Sequence, residues 1–203
     1  MEIGIIGAGK VARALAFGWS KAGHKVVFGV RDIGKTKMRN AMPGLGHIPV
    51  MSIAKAVARS DVLVLAVPAH ALSDLPEPLK TVGDKIIIDP ANSFPVPPIG
   101  YENCFEAIVR QSDCAHVVKA FNNTGFQNLA EPGGFDTFVA GDSEAAKIVA
   151  RQLSVDLGFA RCYDFGDRHK AGLLEQLAVC WINLAYFQEL GTGFGLNVVY
   201  RPN

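Results

Sequence analysis

The first thirty residues constrain the fold more than any other stretch. A short apolar run, Ile3-Gly-Ile-Ile6, leads directly into Gly7-x-Gly9-x-x-Ala12. This spacing opens a βαβ unit. Gly7 allows the tight turn, Gly9 lets a ligand approach the backbone, and a small residue at Ala12 lets the helix pack on the strand. A helical pattern follows, with Val11, Leu15, Gly18, Trp19 and Ala22 on one face and Gly23 as its stop. Residues 25–30 read as the second strand. Flanked this way, the glycine turn is expected to seat the pyrophosphate of a dinucleotide on the helix N-terminus. Lys10 fits that expectation. In the first turn of a helix a cation opposes the helix dipole, and a bound pyrophosphate would reverse the sign of that interaction.

The rest of the chain alternates strands and helices. Residues 61–67 form a near-continuous apolar run ended by Pro68, as expected of a central parallel strand covered on both faces. Further strands are read at 47–51, 85–89, 116–121, 135–140 and 160–164. Helices are read at 52–59, capped by Ser52, and at 102–111, 142–157 and 168–190. In the 142–157 helix, Ala145, Ile148, Val149, Leu153 and Leu157 form the expected inner face. The last helix carries two apolar rows, Leu173/Leu177/Trp181/Leu184 and Leu174/Ala178/Ile182/Ala185, wide enough to pack on the domain and to form a homodimer contact. Trp181 reads as core. The pattern predicts an α/β fold with a doubly wound parallel sheet over 1–141 and a small C-terminal helical lobe over 142–203. Such sheets bind ligands outside the carboxyl ends of their strands. That rule selects the loops at 7–11, 30–35, 67–71 and 89–93, with 122–125 as a fifth.

The end of the second strand bears on which dinucleotide is bound. No Asp or Glu occurs from Lys10 through Arg31, whereas a site preferring NAD places a carboxylate there for the ribose hydroxyls. The strand ends Gly29-Val30-Arg31, and a guanidinium grips a 2′-phosphate through two parallel hydrogen bonds. Lys35 and Lys37 add positive charge nearby. This favours NADP; in the alternative, Asp32 takes the ribose and the basic residues are a solvated turn.

Composition excludes several classes. Among 203 residues 49% are hydrophobic and the net charge is +1, so the chain is expected to fold around a sizeable core and to bind neither nucleic acid nor an anionic membrane. The four cysteines, Cys104, Cys114, Cys162 and Cys180, lack paired spacing and read as reduced thiols of a cytoplasmic protein. The chain enters its first strand at once, leaving no room for a signal peptide. The apolar stretch 173–190 is interrupted by Glu175, Gln176, Asn183 and Glu189, as in a buried helix and not a membrane span.

Catalytic groups are scarce. There is no nucleophile elbow, no paired metal ligands and no zinc spacing. Of the five histidines only His70 follows a strand end at the expected crevice, and Lys119, ahead of the 122–125 loop, could reach the same place or be structural. No catalytic residue is assigned. Hydride transfer between two bound cofactors needs mainly proximity and orientation, and few proton-transfer groups.

Six segments recur together in one family: Gly4-Ile-Ile-Gly-Ala-Gly-Lys-Val-Ala, Val27-Phe-Gly-Val-Arg-Asp, Asp61-Val-Leu-Val-Leu-Ala-Val-Pro, Val117-Val-Lys-Ala-Phe-Asn, Ala140-Gly-Asp-Ser-Glu-Ala-Ala-Lys and Leu174-Glu-Gln-Leu-Ala. They resemble the NADP oxidoreductases dependent on coenzyme F420, an 8-hydroxy-5-deazaflavin. The module is also similar to the cytosolic domain of six-transmembrane metalloreductases. The resemblance implies a Rossmann domain with a small C-terminal lobe. It also implies hydride transfer between NADPH and a deazaflavin or a flavin such as FMN or FAD. By the same resemblance Ala8, Gly9, Lys10 and Val11 hold the pyrophosphate, Arg31 and Lys35 the 2′-phosphate, Val67 lies along the cofactor, and the loop with Asn122 lies near the nicotinamide. Val30 stands where the family often has Ser, which removes one hydroxyl donor to the 2′-phosphate. A non-catalytic NADP(H) sensor remains the alternative. A hydroxy-acid or imine dehydrogenase is disfavoured because the 62 residues from Asp142 onward leave little room for a substrate domain.

Overall fold

The computed structural model describes residues 1–34 and 44–201. Eight strands form one sheet in the order β3-β2-β1-β4-β5-β6-β7-β8. They are β1 (Glu2–Ile6), β2 (Lys25–Val30), β3 (Val50–Ser52), β4 (Val62–Leu65), β5 (Ile86–Asp89), β6 (His116–Ala120), β7 (Asp136–Ala140) and β8 (Arg161–Gly166). The first six are mutually parallel. Their order reverses between β1 and β4, where open α/β sheets form a crevice.

Alternation along the strands builds two cores. Ile3, Ile5, Val62, Val64, Ile88 and Val118 face one layer, with helices α1 (Lys10–Lys21) and α6 (Glu144–Leu157). Ile6, Leu63, Leu65, Ile87 and Val117 face the other, with α2 (Ile53–Arg59), a short α3 (Glu77–Lys80) and α4 (Cys104–Gln111). Both faces are covered, which explains the continuous apolar run of β4 and gives the doubly wound architecture read from the sequence. Ser52 caps α2 as expected, its hydroxyl accepting from the Lys55 amide. Trp19 on α1 is fully buried and donates its indole N–H to the Leu153 carbonyl of α6 at 3.0 Å, so it fastens the two helices together.

Three readings need correction. The sheet is not wholly parallel, because β7 runs antiparallel to β6. The chain between them holds only a single helical turn, α5 (Phe126–Leu129), and no crossover helix. Asn123 pins this loop at the edge where β7 starts, donating to the Asp136 carbonyl and accepting from the Thr137 hydroxyl. The buried face of α6 is Ala146, Lys147, Ala150, Leu153, Ser154 and Leu157, with Ile148 exposed. Small residues at 146 and 150 allow close approach, and they weigh less in an apolar pattern than the larger Ile148. The final helix is also shorter than read. A 3₁₀ turn at Arg168–Lys170 precedes α7 (Ala171–Ile182), and a π turn follows at Asn183–Phe187. Leu174, Ala178, Trp181 and Ala185 are buried on it, while Leu173 and Leu184 are exposed. Trp181 is core, its indole N–H donating to the Phe194 carbonyl at 2.9 Å. β8, from the C-terminal third, hydrogen-bonds to β7 within the same sheet.

Trp19→Ala should lower stability by about 3–5 kcal/mol, the usual cost of truncating a buried aromatic. Urea unfolding followed by circular dichroism measures it, and a loss below about 1 kcal/mol would contradict this packing.

Candidate active site

Two adjoining clefts open along the carboxyl ends of β1, β2, β4 and β5. The first, about 540 Å³, runs from Gly7, Ala8 and Gly9 past Val30, Arg31 and Asp32. The second, about 750 Å³, runs from Gly9, Lys10 and Val11 to Asn92 and the apolar stretch Phe94, Pro95 and Val96. Gly9, Ala66, Val67, Pro68 and His70 line both, so the clefts meet at the glycine turn.

That turn combines a strained glycine with open space beside it. Gly7 has φ +109, and a Cβ there would lie 2.4 Å from the Ala66 carbonyl oxygen, so both backbone and space demand glycine. Gly9 differs: a Cβ on it would meet no atom within 4 Å. Its small size serves nothing inside the protein, and the space beside it is the cradle a ligand would fill. Gly9 is also the N-cap of α1, with no side-chain cap and no acid in the first turn, so the helix presents open N–H groups to an anion. Lys10 is exposed, its ammonium 4.9 Å from the centre of the Phe126 ring.

Arg31 is exposed at the rim of the first cleft. Asp32 folds its own turn, accepting from the Gly34 amide at 2.9 Å. Val30 is buried at the strand end. Lys35 and Lys37 lie outside the described residues. Val67 lines the shared waist of the clefts, as does His70, which is exposed.

Lys119 does not reach a cleft. It is fully buried and forms the centre of a charge cluster that links three elements. Its ammonium donates to Asp89 at 2.8 Å and to Glu175 of α7 at 2.7 Å, and also to the Ala91 carbonyl. Asp89 accepts from the Ala91 amide at 2.9 Å. Glu175 accepts from the Ser93 amide at 2.8 Å and the Cys104 amide at 3.1 Å. The three charged side chains therefore hold the backbone of residues 91–93, the wall of the second cleft. Burial alone would lower the Lys119 pKa, but the Asp89 and Glu175 carboxylates reverse this and hold it above its usual value. Burial pushes Asp89 up despite its lysine partner. Burial, with Asp89 nearby, also pushes the Cys104 thiol up to about 12, so this cysteine is an inert packing group at neutral pH.

Asn122 stands one layer behind the wall, only 3% exposed. Its amide donates to the Asn92 side-chain oxygen and to the Leu174 carbonyl, both at 2.9 Å. Asn92 returns a bond to the Asn122 carbonyl at 3.2 Å. The preceding Phe121 adopts φ +63, a backbone conformation rare for a bulky residue. It is held there by packing against Trp19 and Phe159.

Asn92 and Glu175 were not selected from the sequence as site residues. Asp89 was missed as well, although a signal for it exists: a lone Asp ends one apolar strand, a Lys stands one residue from the end of the next, and Asp89 and Lys119 are register partners.

With this geometry in view, residues 2–93 match the family model described as NADP oxidoreductase coenzyme F420-dependent. The match spans the sheet from β1 through β5 and the start of the loop that follows. The fold carries the likeness across the rest. A structure from Arthrobacter sp. FB24, described as an F420-dependent NADP-reductase, superposes with a TM-score of 0.81 at 26% identity, covering 98% of this chain and all of that one. A glycerol-3-phosphate dehydrogenase [NAD(P)+] from Thermoanaerobacter sp. is 32% identical over 98 residues, spanning 43% of this chain and 30% of that enzyme. The reductive aminase of Aspergillus terreus, solved with NADPH, shares the fold at a TM-score of 0.65 and 17% identity, over 93% of this chain and 62% of that one. Among the described residues no helix is long and apolar enough to cross a membrane.

Lys119→Met leaves two carboxylates buried without their cation and should cost about 3–5 kcal/mol at pH 7. The pH dependence has a definite sign. Asp89 has a folded-state pKa above its unfolded value, so protonating it favours the folded form. Urea midpoints of this variant should therefore recover relative to wild type as pH falls from 7 towards 5, and a gap that widened instead would refute the cluster's role.

Proposed function

We propose that this protein is an NADPH-dependent oxidoreductase that passes hydride between NADP(H) and a deazaflavin or flavin acceptor. The observation that carries the reading is the pair of clefts meeting at Gly9. One ends at a guanidinium beside the second strand, and the other is walled by the apolar residues Phe94, Pro95, Val96 and Ile99. In this reading the open N–H groups of α1 hold the pyrophosphate, Gly9 leaves room for it, and Arg31 binds the 2′-phosphate. Val67 and Pro68 support the nucleotide where it passes between the clefts. The bound nicotinamide supplies the hydride. The protein supplies orientation and an apolar place for a flat acceptor ring, which suits two clefts with His70 as the single histidine among their described lining residues.

Arg31→Ala should weaken NADPH binding about ten- to a hundredfold while leaving NADH nearly unchanged, as expected for loss of a charge-assisted contact. Calorimetric titration of both nucleotides decides it, and a wild type that prefers NADH would overturn the cofactor assignment.

Gly9→Val should abolish binding while circular dichroism stays native, because the added side chain starts from a Cβ with no atom of the fold within 4 Å and extends into the cradle. In stopped-flow reduction of a deazaflavin by NADPH, His70→Ala should slow the rate by less than about a hundredfold, below the upper range for removing a general acid or base. A wild type that binds NADPH but reduces no deazaflavin or flavin would instead be a nucleotide sensor.

A further inference from the structure

We propose that Asn92 offers one amide N–H to the second cleft, that this donor recognises the carboxamide oxygen of the nicotinamide, and that Asn122 is its positioning residue. The inference rests on the dinucleotide reading above and adds how the reactive ring is held.

The hydrogen-bond pattern fixes which way both amides point. Asn122 donates to the Leu174 carbonyl, which can only accept, so its nitrogen and oxygen cannot be exchanged. Its second N–H meets Asn92, which must present oxygen there. The Asn92 nitrogen then faces the Asn122 carbonyl, again an acceptor only. Every link agrees, and the arrangement is kept although it leaves the Asn122 side-chain oxygen buried and unpartnered among the described residues. Its geometry is set by Phe121, whose left-handed backbone turns the chain into Asn122.

Of the four polar positions on Asn92, one lone pair of its oxygen and one N–H are therefore committed to the layer behind. The second N–H remains, on a half-buried side chain that lines the second cleft. A group anchored this way donates to the cleft and selects a carbonyl oxygen. It stands at the end of β5, beyond β4 from the glycine turn, where the ring follows if the pyrophosphate sits on α1. Fixing the carboxamide fixes which face of the ring meets the apolar wall, so the donor would govern hydride stereochemistry as well as affinity.

Calorimetry on wild type, Asn92→Ala and Asn122→Ala with four ligands tests this: NADP⁺, its 3-acetylpyridine analogue, its 3-aminopyridine analogue, and 2′,5′-ADP. The acetyl analogue keeps the carbonyl, the amino analogue lacks it, and 2′,5′-ADP lacks the ring. Both variants should bind NADP⁺ and the acetyl analogue about five- to tenfold more weakly, the range of one neutral hydrogen bond, with the other two ligands unchanged. Wild type alone should bind the amino analogue more weakly than the acetyl analogue by a similar factor. Hydride transfer from NADPH carrying deuterium on one face of the ring should lose stereospecificity in both variants. Unchanged NADP⁺ affinity in Asn92→Ala would overturn the proposal, as would an equal loss for 2′,5′-ADP or the amino analogue. A change confined to the acceptor KM would also overturn it. Wild type failing to bind NADP⁺ would instead overturn the dinucleotide reading.

Discussion

A lysine with no access to water, held between two carboxylates, organises the wall of the second cleft. Lys119, Asp89 and Glu175 come from β6, β5 and α7, and each is also bonded to, or flanked by, the backbone of the loop that leaves β5. Buried ions gain little net stability when compared with apolar residues of the same size, because desolvation offsets their attraction. Their value here is geometric. Hydrogen bonds from charged groups have narrow optima, so residues 91–93 keep a defined position where an apolar contact would let them slide. α7 is tied to the same point, and the last helix and the cleft wall are located by one set of bonds.

In the proposed function the two clefts divide recognition between them. The first would read charge and the turn of a backbone; the second is apolar, and Phe94 on its wall meets Phe187 edge-on at 6.5 Å. A flat ring entering the second cleft would shed water against Val96 and Ile99, both well exposed. The amide pair behind Asn92 is the polar exception in that wall. Polar groups in an apolar surface orient a ligand more than they add affinity, since each replaces a bond to water.

Much of the fold was legible because strand and helix periods differ so plainly here. The β4 run, the Gly7 turn and the Ser52 cap each announce a single local structure, and each is found. The parts that were not legible share a cause: they depend on partners distant in sequence. The inward face of α6 was misjudged because Ala146 and Ala150 win by being small enough to approach the sheet, and a hydrophobic pattern rewards size. The reversal at β7 depends on Asn123 reaching Asp136 and Thr137, which the pattern of residues 122–140 does not display. Glu175 read as an interruption in an apolar helix, and only the third dimension shows Lys119 beneath it. In the site, the glycine turn and Arg31 were visible as local motifs. Asn92 was not, because its orientation comes from a bond to Asn122 across thirty positions of sequence.

The antiparallel β7 has a further consequence. Since β7 and β8 run against the first six strands, the chain leaves both of them at the edge of the sheet opposite the clefts. The turns there, around Asp142 and Asp167, close on each other through Arg168, which bonds Asp142 by backbone and side chain. This gives the protein a back face whose loops share no wall with either cleft. A dye, a surface tether or a fused domain placed at those turns would leave the reacting edge free, so the fold comes with a built-in handle.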